Sequence, residues 1–265
     1  MIMISSRTDF WESDNLSDFD LFRDVNLSDE SLGTEMTRDE VIKKISGKTI
    51  LVLIHGYNSE PDDVIKSYQT LEENFKDWQF YDEIVGYTWP GGDNPFDYQA
   101  AKSRSSAVAR RLQMHLNSIF NNAVLVDLMT HSMGSRVALS ALDDGKKQKV
   151  VNNLFLTASA VDNEDLEFGN QFFSSTQKCN TVYVFHSKHD PVLNLGYRVH
   201  HWDSALGLFG PENPATLIEK SPNVKVVNCK NHIKRHGGYK DCKELYTYLK
   251  NEFFTTNKHP QYYTL

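Results

Sequence analysis

Cysteine is scarce in this 265-residue chain, and long apolar runs are missing. The three cysteines, Cys179, Cys229 and Cys242, are an odd number in a long chain, which argues against a disulfide framework and fits a reducing compartment. The longest obvious apolar run, residues 50–54, is far below the roughly 18–20 residues that span a bilayer. Residues 1–4 are too short for a secretory signal, and an acidic stretch follows them at once. We therefore expect a cytoplasmic protein without stable membrane insertion.

A basic excess is absent as well. The chain carries 28 Lys and Arg against 35 Asp and Glu, a formal net charge of −7. Residues 1–35 hold nine acids and two bases, so the other 230 residues carry 26 charges of each sign. This balance disfavours a nucleic-acid partner. No Gly-x-Gly-x-x-Gly follows a strand and no P-loop is present, so nucleotide binding is disfavoured and no cofactor is expected.

From about residue 49 onward, short β-branched apolar runs alternate with helix-period segments. This alternation predicts repeated βα units and a mostly parallel sheet with helices on both faces, the α/β class. We predict an acidic leader over residues 1–48 that includes a first strand and packs on the core. Residues 49–254 are then the main α/β domain and residues 255–265 a tail. The leader's aromatic and aliphatic residues favour folding back on the sheet, the alternative being a docking role for a partner.

The predicted strands and helices follow this order. Strands are predicted at 49–54, 84–88, 124–129, 153–156, 181–185 and 224–227, and helices at 61–78, 98–120, 133–142 and 241–254. The Gly- and Pro-punctuated stretch 191–223 is long for a connection. We interpret it as a functional segment, a lid or pocket wall, or as a segment that carries its own short helices.

A nucleophile is predicted where one strand meets the next helix. The apolar strand 124–129 runs into Thr130-His131-Ser132-Met133-Gly134, the strand, sharp turn and helix context of a nucleophile elbow with Ser132 at its apex. Gly134 fits because the helix must pass close to the strand. Thr130 stands where the elbow usually has its first glycine. The alternative is a serine that merely caps the helix.

An oxyanion loop is predicted after the first strong strand. There Leu53-Ile54 is followed by His55-Gly56-Tyr57-Asn58. In enzymes with a nucleophile elbow, the loop after such a strand contributes a backbone N–H to the oxyanion. We assign the two N–H donors to Tyr57 and Met133, with His55 orienting the loop. The alternative is a simple turn after the strand.

The acid and the base should follow the nucleophile in that order. Asp190 comes directly after strand 181–185 and ranks ahead of Asp162, which follows the preceding strand. For the base, His236 is favoured over His232 because Gly237 and Gly238 let its loop turn tightly. Zinc is an alternative here, because four possible ligands lie close together in the sequence: Cys229, His232, His236 and Cys242. The sequence has no Cys-x-x-Cys pair, and we therefore expect no metal.

Aromatic and aliphatic side chains are the candidates for the substrate pocket. Trp202, Leu206 and Phe209, in the stretch 191–223, are predicted to form one wall and to be substrate-binding residues. Trp89, in a Gly-rich loop, is predicted to line the opposite wall. A satellite cluster packed on the sheet is the alternative for the first group.

Six short sequence motifs together resemble a known class of enzymes. They are Ile54-His55-Gly56-Tyr57-Asn58, Tyr87-Thr88-Trp89-Pro90, His131-Ser132-Met133-Gly134, Asp190, Leu206-Gly207-Leu208-Phe209-Gly210-Pro211 and His236-Gly237-Gly238-Tyr239. The set resembles a largely bacterial, poorly characterised branch of the serine α/β-hydrolases, and residues 1–7 resemble its opening strand. The resemblance implies a sheet of eight strands or slightly fewer and a Ser132–Asp190–His236 triad. It implies no particular substrate.

The expected activity is hydrolysis of a small-molecule acyl ester or lipid through an acyl-enzyme, as an esterase or a lipase. A thioesterase, a peptidase and an acyltransferase would use the same residues, so these remain alternatives. A further alternative is a non-catalytic binding module built on the hydrolase fold.

Overall fold

The computed structural model describes residues 1–11, 15–28, 33–92, 98–143, 150–197 and 203–265. Within these residues ten strands form one sheet. The strands are β1 Ile2–Arg7, β2 Leu16–Asp24, β3 Thr34–Met36, β4 Thr49–Ile54, β5 Glu83–Thr88, β6 Leu125–His131, β7 Val151–Thr157, β8 Cys179–His186, β9 Val224–Asn228 and β10 Tyr262–Thr264.

Helices connect most of these strands. The α-helices are α1 Arg38–Ile45, α2 Pro61–Lys76, α3 Tyr98–Ser118, α4 Gly134–Asp143, α5 Phe173–Thr176, α6 Leu206–Phe209, α7 Pro214–Lys220 and α8 Lys243–Phe254. Two 3₁₀ turns, Phe120–Asn122 and His236–Asp241, and a π-helical turn, Leu193–Tyr197, complete the described elements. No helix of the described residues is long and apolar enough to cross a membrane.

The sheet is mostly parallel. The order of the described strands is β10-β9-β8-β7-β6-β4-β5-β1-β2-β3, and among these strands only the β1–β2 and β2–β3 pairs are antiparallel. The α/β prediction is confirmed. The expected eight strands are too few, because residues 1–48 contribute β1, β2 and β3 and the predicted tail contributes β10.

The core lies on both faces of the sheet, because side chains alternate along each strand. Ile50 and Val52 of β4 pack on one face with Val108 of α3, whereas Leu51 and Leu53 pack on the other face with α2 and α8. Both faces are therefore covered by helices, which explains why the central strands are apolar throughout.

The acidic leader is joined to the core by its charges as well as by its strands. The side chain of Asp20, on β2, is only 4% exposed, and its carboxylate pairs with Arg111 Nη1 at 2.9 Å and His115 Nε2 at 2.5 Å, both on α3. Burial alone would raise the pKa of Asp20, but His115 and Arg111 lower it. The leader thus packs against α3 in the described residues.

Candidate active site

Ser132 occupies a strained turn between β6 and α4. Its φ is 54°, in the left-handed region that non-glycine residues rarely adopt. Backbone hydrogen bonds hold this conformation: Ser132 N–H donates to the Thr157 carbonyl at 3.0 Å, and Ala160 N–H donates to the Ser132 carbonyl at 3.2 Å. A strained serine fixed by the next strand has the geometry of a nucleophile elbow.

Close approach between α4 and β4 requires a glycine at the start of the helix. A Cβ on Gly134 would lie 2.5 Å from the carbonyl oxygens of both Ile54 and His55. Thr130, at the position of the missing first glycine, fits because its hydroxyl donates to the Phe155 carbonyl at 3.1 Å and bonds Ser135 Oγ at 2.9 Å. Within the described residues the Ser132 hydroxyl makes no hydrogen bond, so it does not cap α4 there.

His55 holds the loop after β4 in place. Its Nε2 accepts from the Trp89 N–H at 3.1 Å, so Nδ1 carries the hydrogen and donates to the Gly56 carbonyl at 2.9 Å. Burial, followed by the charge of Arg7, lowers the pKa of His55 to about 3, and the ring is neutral. The predicted orienting role of His55 matches these contacts.

The loop held by His55 packs directly against the elbow. A Cβ on Gly56 would lie 2.7 Å from Ser132 Cβ, so the backbone between His55 and Tyr57 touches the serine. Met133 N–H, the next amide after the serine, donates to no acceptor in the described part of the chain. An unused amide at the start of a helix, beside a serine, is available to an oxyanion.

Asp190 and His236 meet across the ends of β8 and β9. Asp190 Oδ2 lies 2.7 Å from His236 Nδ1, and the carboxylate is fully buried. Its other oxygen accepts the N–H groups of Val192 and Leu193, each at 3.0 Å. With Nδ1–H donated to the carboxylate, His236 keeps the lone pair of Nε2 for a proton.

The alternative acid, Asp162, and the alternative base, His232, have other partners. Asp162 accepts a hydrogen bond from the Tyr197 hydroxyl at 2.7 Å, and His232 is exposed with Glu244 at 3.5 Å as its ionic neighbour. The described residues contain no cluster of His, Cys, Asp or Glu side chains that could hold a metal ion. Cys179, Cys229 and Cys242 are buried free thiols.

One residue of the site was missed by sequence reasoning. His131, beside Ser132, donates from Nε2 to the carbonyl oxygen of His236 at 3.1 Å, and the two rings lie 4.6 Å apart. Burial is the main cause that lowers the pKa of His131 to about 3, and the neighbouring His236 lowers it further, so the ring is neutral. The only signal in the sequence was its place next to the serine.

Among the described residues, no hydrogen bond joins Ser132 to His236.

The predicted pocket walls need correction. Trp89 is fully buried: its ring stacks on His55 and its Nε1 donates to the His55 carbonyl at 2.9 Å. Leu206 is also fully buried, because α6 packs on the sheet, and this agrees with the alternative of a packed cluster. Phe209 is half exposed, and Trp202 lies outside the described residues.

A different set of residues encloses a cavity beside the site. Its volume is about 270 Å³, and it is lined by the ends of β4 and β6, by α2 and by the turn His236–Asp241. Tyr57, His131 and His236 all contribute to its wall. Trp89, Leu206 and Phe209 do not line it.

The mostly parallel sheet with helices on both faces is the architecture of the α/β-hydrolase class. A family model described as "Alpha/beta hydrolase of unknown function (DUF900)" matches residues 30–239, so the chain belongs to this family. No curated protein matches the sequence.

Solved structures are similar to the chain at low sequence identity. The esterase PE8 is 15% identical, with a TM-score of 0.49 and coverage of 79% of this chain and 93% of that chain. The lin2722 gene product of Listeria innocua is 11% identical, with a TM-score of 0.47 and coverage of 82% of this chain and 98% of that chain. The Pyrococcus furiosus esterase Pf2001 is 14% identical, with a TM-score of 0.45 and coverage of 79% and 83%.

Proposed function

We propose that this protein is a serine hydrolase of carboxylic esters that works through an acyl-enzyme. The observation that carries the proposal is the buried Asp190–His236 pair, 2.7 Å apart, at the same edge of the sheet as the strained Ser132. A carboxylate that fixes an imidazole near a serine supplies the three groups of acyl transfer.

In the proposed reaction Ser132 Oγ attacks the ester carbonyl carbon and His236 Nε2 takes the hydroxyl proton. The negative charge that forms on the carbonyl oxygen is received by the N–H groups of Met133 and Tyr57. The bond to the alcohol then breaks, and the alcohol leaves with the proton from His236. Water repeats the sequence on the acyl-enzyme and releases the acid. Asp190 accepts the hydrogen of the ring N–H and orients the ring throughout.

The resting geometry is compatible with this scheme. A serine–histidine hydrogen bond is often long or poorly aligned in a free enzyme and tightens only when substrate is bound. The Met133 amide, which has no acceptor among the described residues, supports the proposal further, because such an amide can stabilise a developing oxyanion. A binding module has no chemical need for such an amide beside a buried acid–base pair.

The test is hydrolysis of p-nitrophenyl esters, from acetyl to palmitoyl, combined with labelling by a fluorophosphonate probe. We expect hydrolysis of at least one ester and labelling at one residue, with both lost in Ser132→Ala. Ser140→Ala, on the following helix, is the matched control and should keep both. Absence of hydrolysis and labelling in the wild type, or activity that survives in Ser132→Ala, would overturn the proposal.

A further inference from the structure

The oxyanion loop, residues 55–59, is held by a residue of the acidic leader. Arg7 ends strand β1 and is only 2% exposed. Its Nη2 donates to the carbonyl oxygen of Ser59, in the loop, at 3.4 Å. Its Nε donates at 3.2 Å to the hydroxyl of Thr88, which ends the neighbouring strand β5. The guanidinium therefore joins the leader, β5 and the loop that carries the proposed donor Tyr57.

Thr88 connects Arg7 to the first residue of the loop. Its hydroxyl oxygen lies 3.2 Å from Arg7 Nε and 3.2 Å from His55 Nε2. A guanidinium can only donate, so Thr88 Oγ1 accepts from Arg7 and can direct its own hydrogen at His55 Nε2. His55 Nδ1 in turn donates to the Gly56 carbonyl at 2.9 Å. Arg7 thus acts on the loop at both of its ends.

The segment between these two ends is strained. Asn58 has a φ of 51°, in the left-handed region that non-glycine residues rarely adopt. Such a conformation persists only where the surrounding structure imposes it. The Asn58 N–H donates to the Gly91 carbonyl at 3.3 Å, which is long for a bond of this type. The direction of the preceding Tyr57 N–H therefore depends on the bonds that fix the loop on either side.

Packing alone does not explain a buried cation at this position. Removing a charge from water is unfavourable, and an apolar side chain of similar volume is often at least as stable at a buried site. The arginine fork reaches acceptors on two different elements, which an aliphatic side chain and the single nitrogen of lysine cannot do. After burial, the charge of Arg7 is the next cause that lowers the pKa of His55, so the ring stays neutral and Nε2 can accept.

We propose that Arg7 is a positioning residue for the proposed oxyanion hole, where it fixes the direction of the Tyr57 N–H. The inference rests on the proposed function, because Tyr57 has this role only if Ser132 attacks an ester carbonyl. In this scheme Arg7 touches no substrate atom. Its loss turns the donor away from the developing oxyanion and raises the energy of the transition state more than that of the bound substrate.

The test combines ester hydrolysis with inhibition by a trifluoromethyl ketone that carries the acyl chain of the best ester. Ser132 Oγ bonds to the carbonyl carbon of the ketone, the carbonyl π electrons move to oxygen, and the serine proton goes to His236. The adduct therefore needs the same N–H donors as the transition state.

We expect Arg7→Met to lower kcat about 10- to 100-fold, with KM changed less than about threefold. The affinity for the ketone should fall by the same factor as kcat/KM. Arg7→Lys keeps the charge but has one nitrogen, and it should recover only part of the loss. Rates are expressed per active site, counted by fluorophosphonate labelling taken to its end point, so that a misfolded fraction does not lower kcat.

Arg111→Met is the matched control. Arg111 also attaches the leader to the core, and its described hydrogen bonds go to Asp20 and Ser17 of the leader. This variant should keep the wild-type affinity for the ketone. Thr88→Val covers an Arg7 variant that does not fold, because it removes only the connecting hydroxyl. It should lower kcat and the ketone affinity together, about three- to tenfold, and Thr88→Ser should keep most of both.

Each contrary result has a defined meaning. An unchanged kcat per active site or an unchanged ketone affinity in Arg7→Met overturns the inference, and Thr88→Val is judged in the same way if Arg7→Met does not fold. An equal loss of ketone affinity in Arg111→Met also overturns it, because loosening of the leader would then be the cause. In these cases Ser132-dependent hydrolysis preserves the proposed function. Inactivity of the wild type on every ester, with no fluorophosphonate label, overturns the proposed function itself.

Discussion

His131 Nε2 lies 3.1 Å from the carbonyl oxygen of His236, so the residue before the proposed nucleophile is bonded to the backbone of the proposed base. A carbonyl oxygen can only accept, and the ring nitrogen must therefore carry the hydrogen. The pKa of His131, lowered to about 3, keeps the ring neutral throughout the range in which esterases are assayed. This bond connects the elbow to the loop that carries His236.

Loss of this bond should affect the reaction rate more than substrate binding. We expect His131→Phe to lower kcat about 10- to 100-fold, because a small displacement of a reacting group is costly in rate. KM should change little. His131→Gln can still donate to the carbonyl and should recover part of the rate, with the wild-type pH–rate profile. A wild-type kcat in the His131→Phe variant would show that the bond does not position the base.

The choice between the two candidate acids can be tested directly. Asp190→Asn can present an N–H to His236 Nδ1, which favours the ring tautomer that cannot accept the serine proton. We expect kcat to fall between about 10²- and 10⁴-fold, with the fold preserved in circular dichroism. Asp162→Asn is the matched control and should keep most of the activity, because Asp162 bonds Tyr197 and not His236. A larger loss in Asp162→Asn would reverse the assignment.

The contact between α4 and β4 predicts a stability effect. Gly134→Ala would place a methyl group 2.5 Å from two backbone carbonyl oxygens, so the helix must move away from the strand. We expect the free energy of unfolding to fall by about 1–3 kcal/mol, measured by urea denaturation, together with a loss of activity. The stability control is Gly237→Ala, where an added Cβ meets no atom of the described residues within 4 Å. Wild-type stability in Gly134→Ala would contradict this close packing of helix on strand.

A buried histidine predicts acid sensitivity. Among the described residues the buried ring of His186 has only the backbone of Leu208 as a hydrogen-bonding neighbour, and burial lowers the pKa of this histidine to about 4. Between the unfolded value of 6.5 and about 4, the unfolded chain binds a proton that the folded chain does not. Stability should therefore fall as pH falls through this range, by up to about 1.4 kcal/mol per pH unit from this group. Above pH 6.5 the contribution is constant.

His186→Leu tests this pH dependence by removing the titrating ring. Urea denaturation at pH 7, 6 and 5 should show a shallower decline for the variant than for the wild type. At pH 7 the variant should be about as stable as the wild type, because it replaces a buried polar ring by an apolar side chain. His232→Leu, at an exposed position, is the control. A wild-type slope in His186→Leu would show that another group causes the acid sensitivity.

Much of the sheet could be predicted from the sequence. The run 49–54 is strand β4 to the residue, and the other predicted strands from β5 to β9 agree within two residues at each end. Apolar strands buried on both faces are easily recognised, because helices cover them on both sides. Strands β2, β3 and β10 were missed. β3 and β10 are three-residue strands at the sheet edges and carry almost no pattern, and β2 is only partly buried and rich in aspartate.

The candidate site could be predicted from the sequence only in part. The proposed Ser132, Asp190 and His236 follow from strand ends and motif order, and the Asp190–His236 contact agrees with that expectation. Trp89 was assigned to a pocket wall because it is aromatic and follows a strand. Its burial depends on His55, which lies on a neighbouring strand's loop. No spacing along the chain predicts that pair.

By itself, the sequence determined the fold class, the order of the chemical groups and the strand ends that carry them. Only the tertiary structure decided which carboxylate meets which imidazole, and that His131 lies beside them. The physical reason is the sheet order: β4, β6, β8 and β9 are distant in sequence, and their loops meet at one edge. The contacts between those loops depend on register, burial and charge in three dimensions, which a linear pattern of residues does not contain.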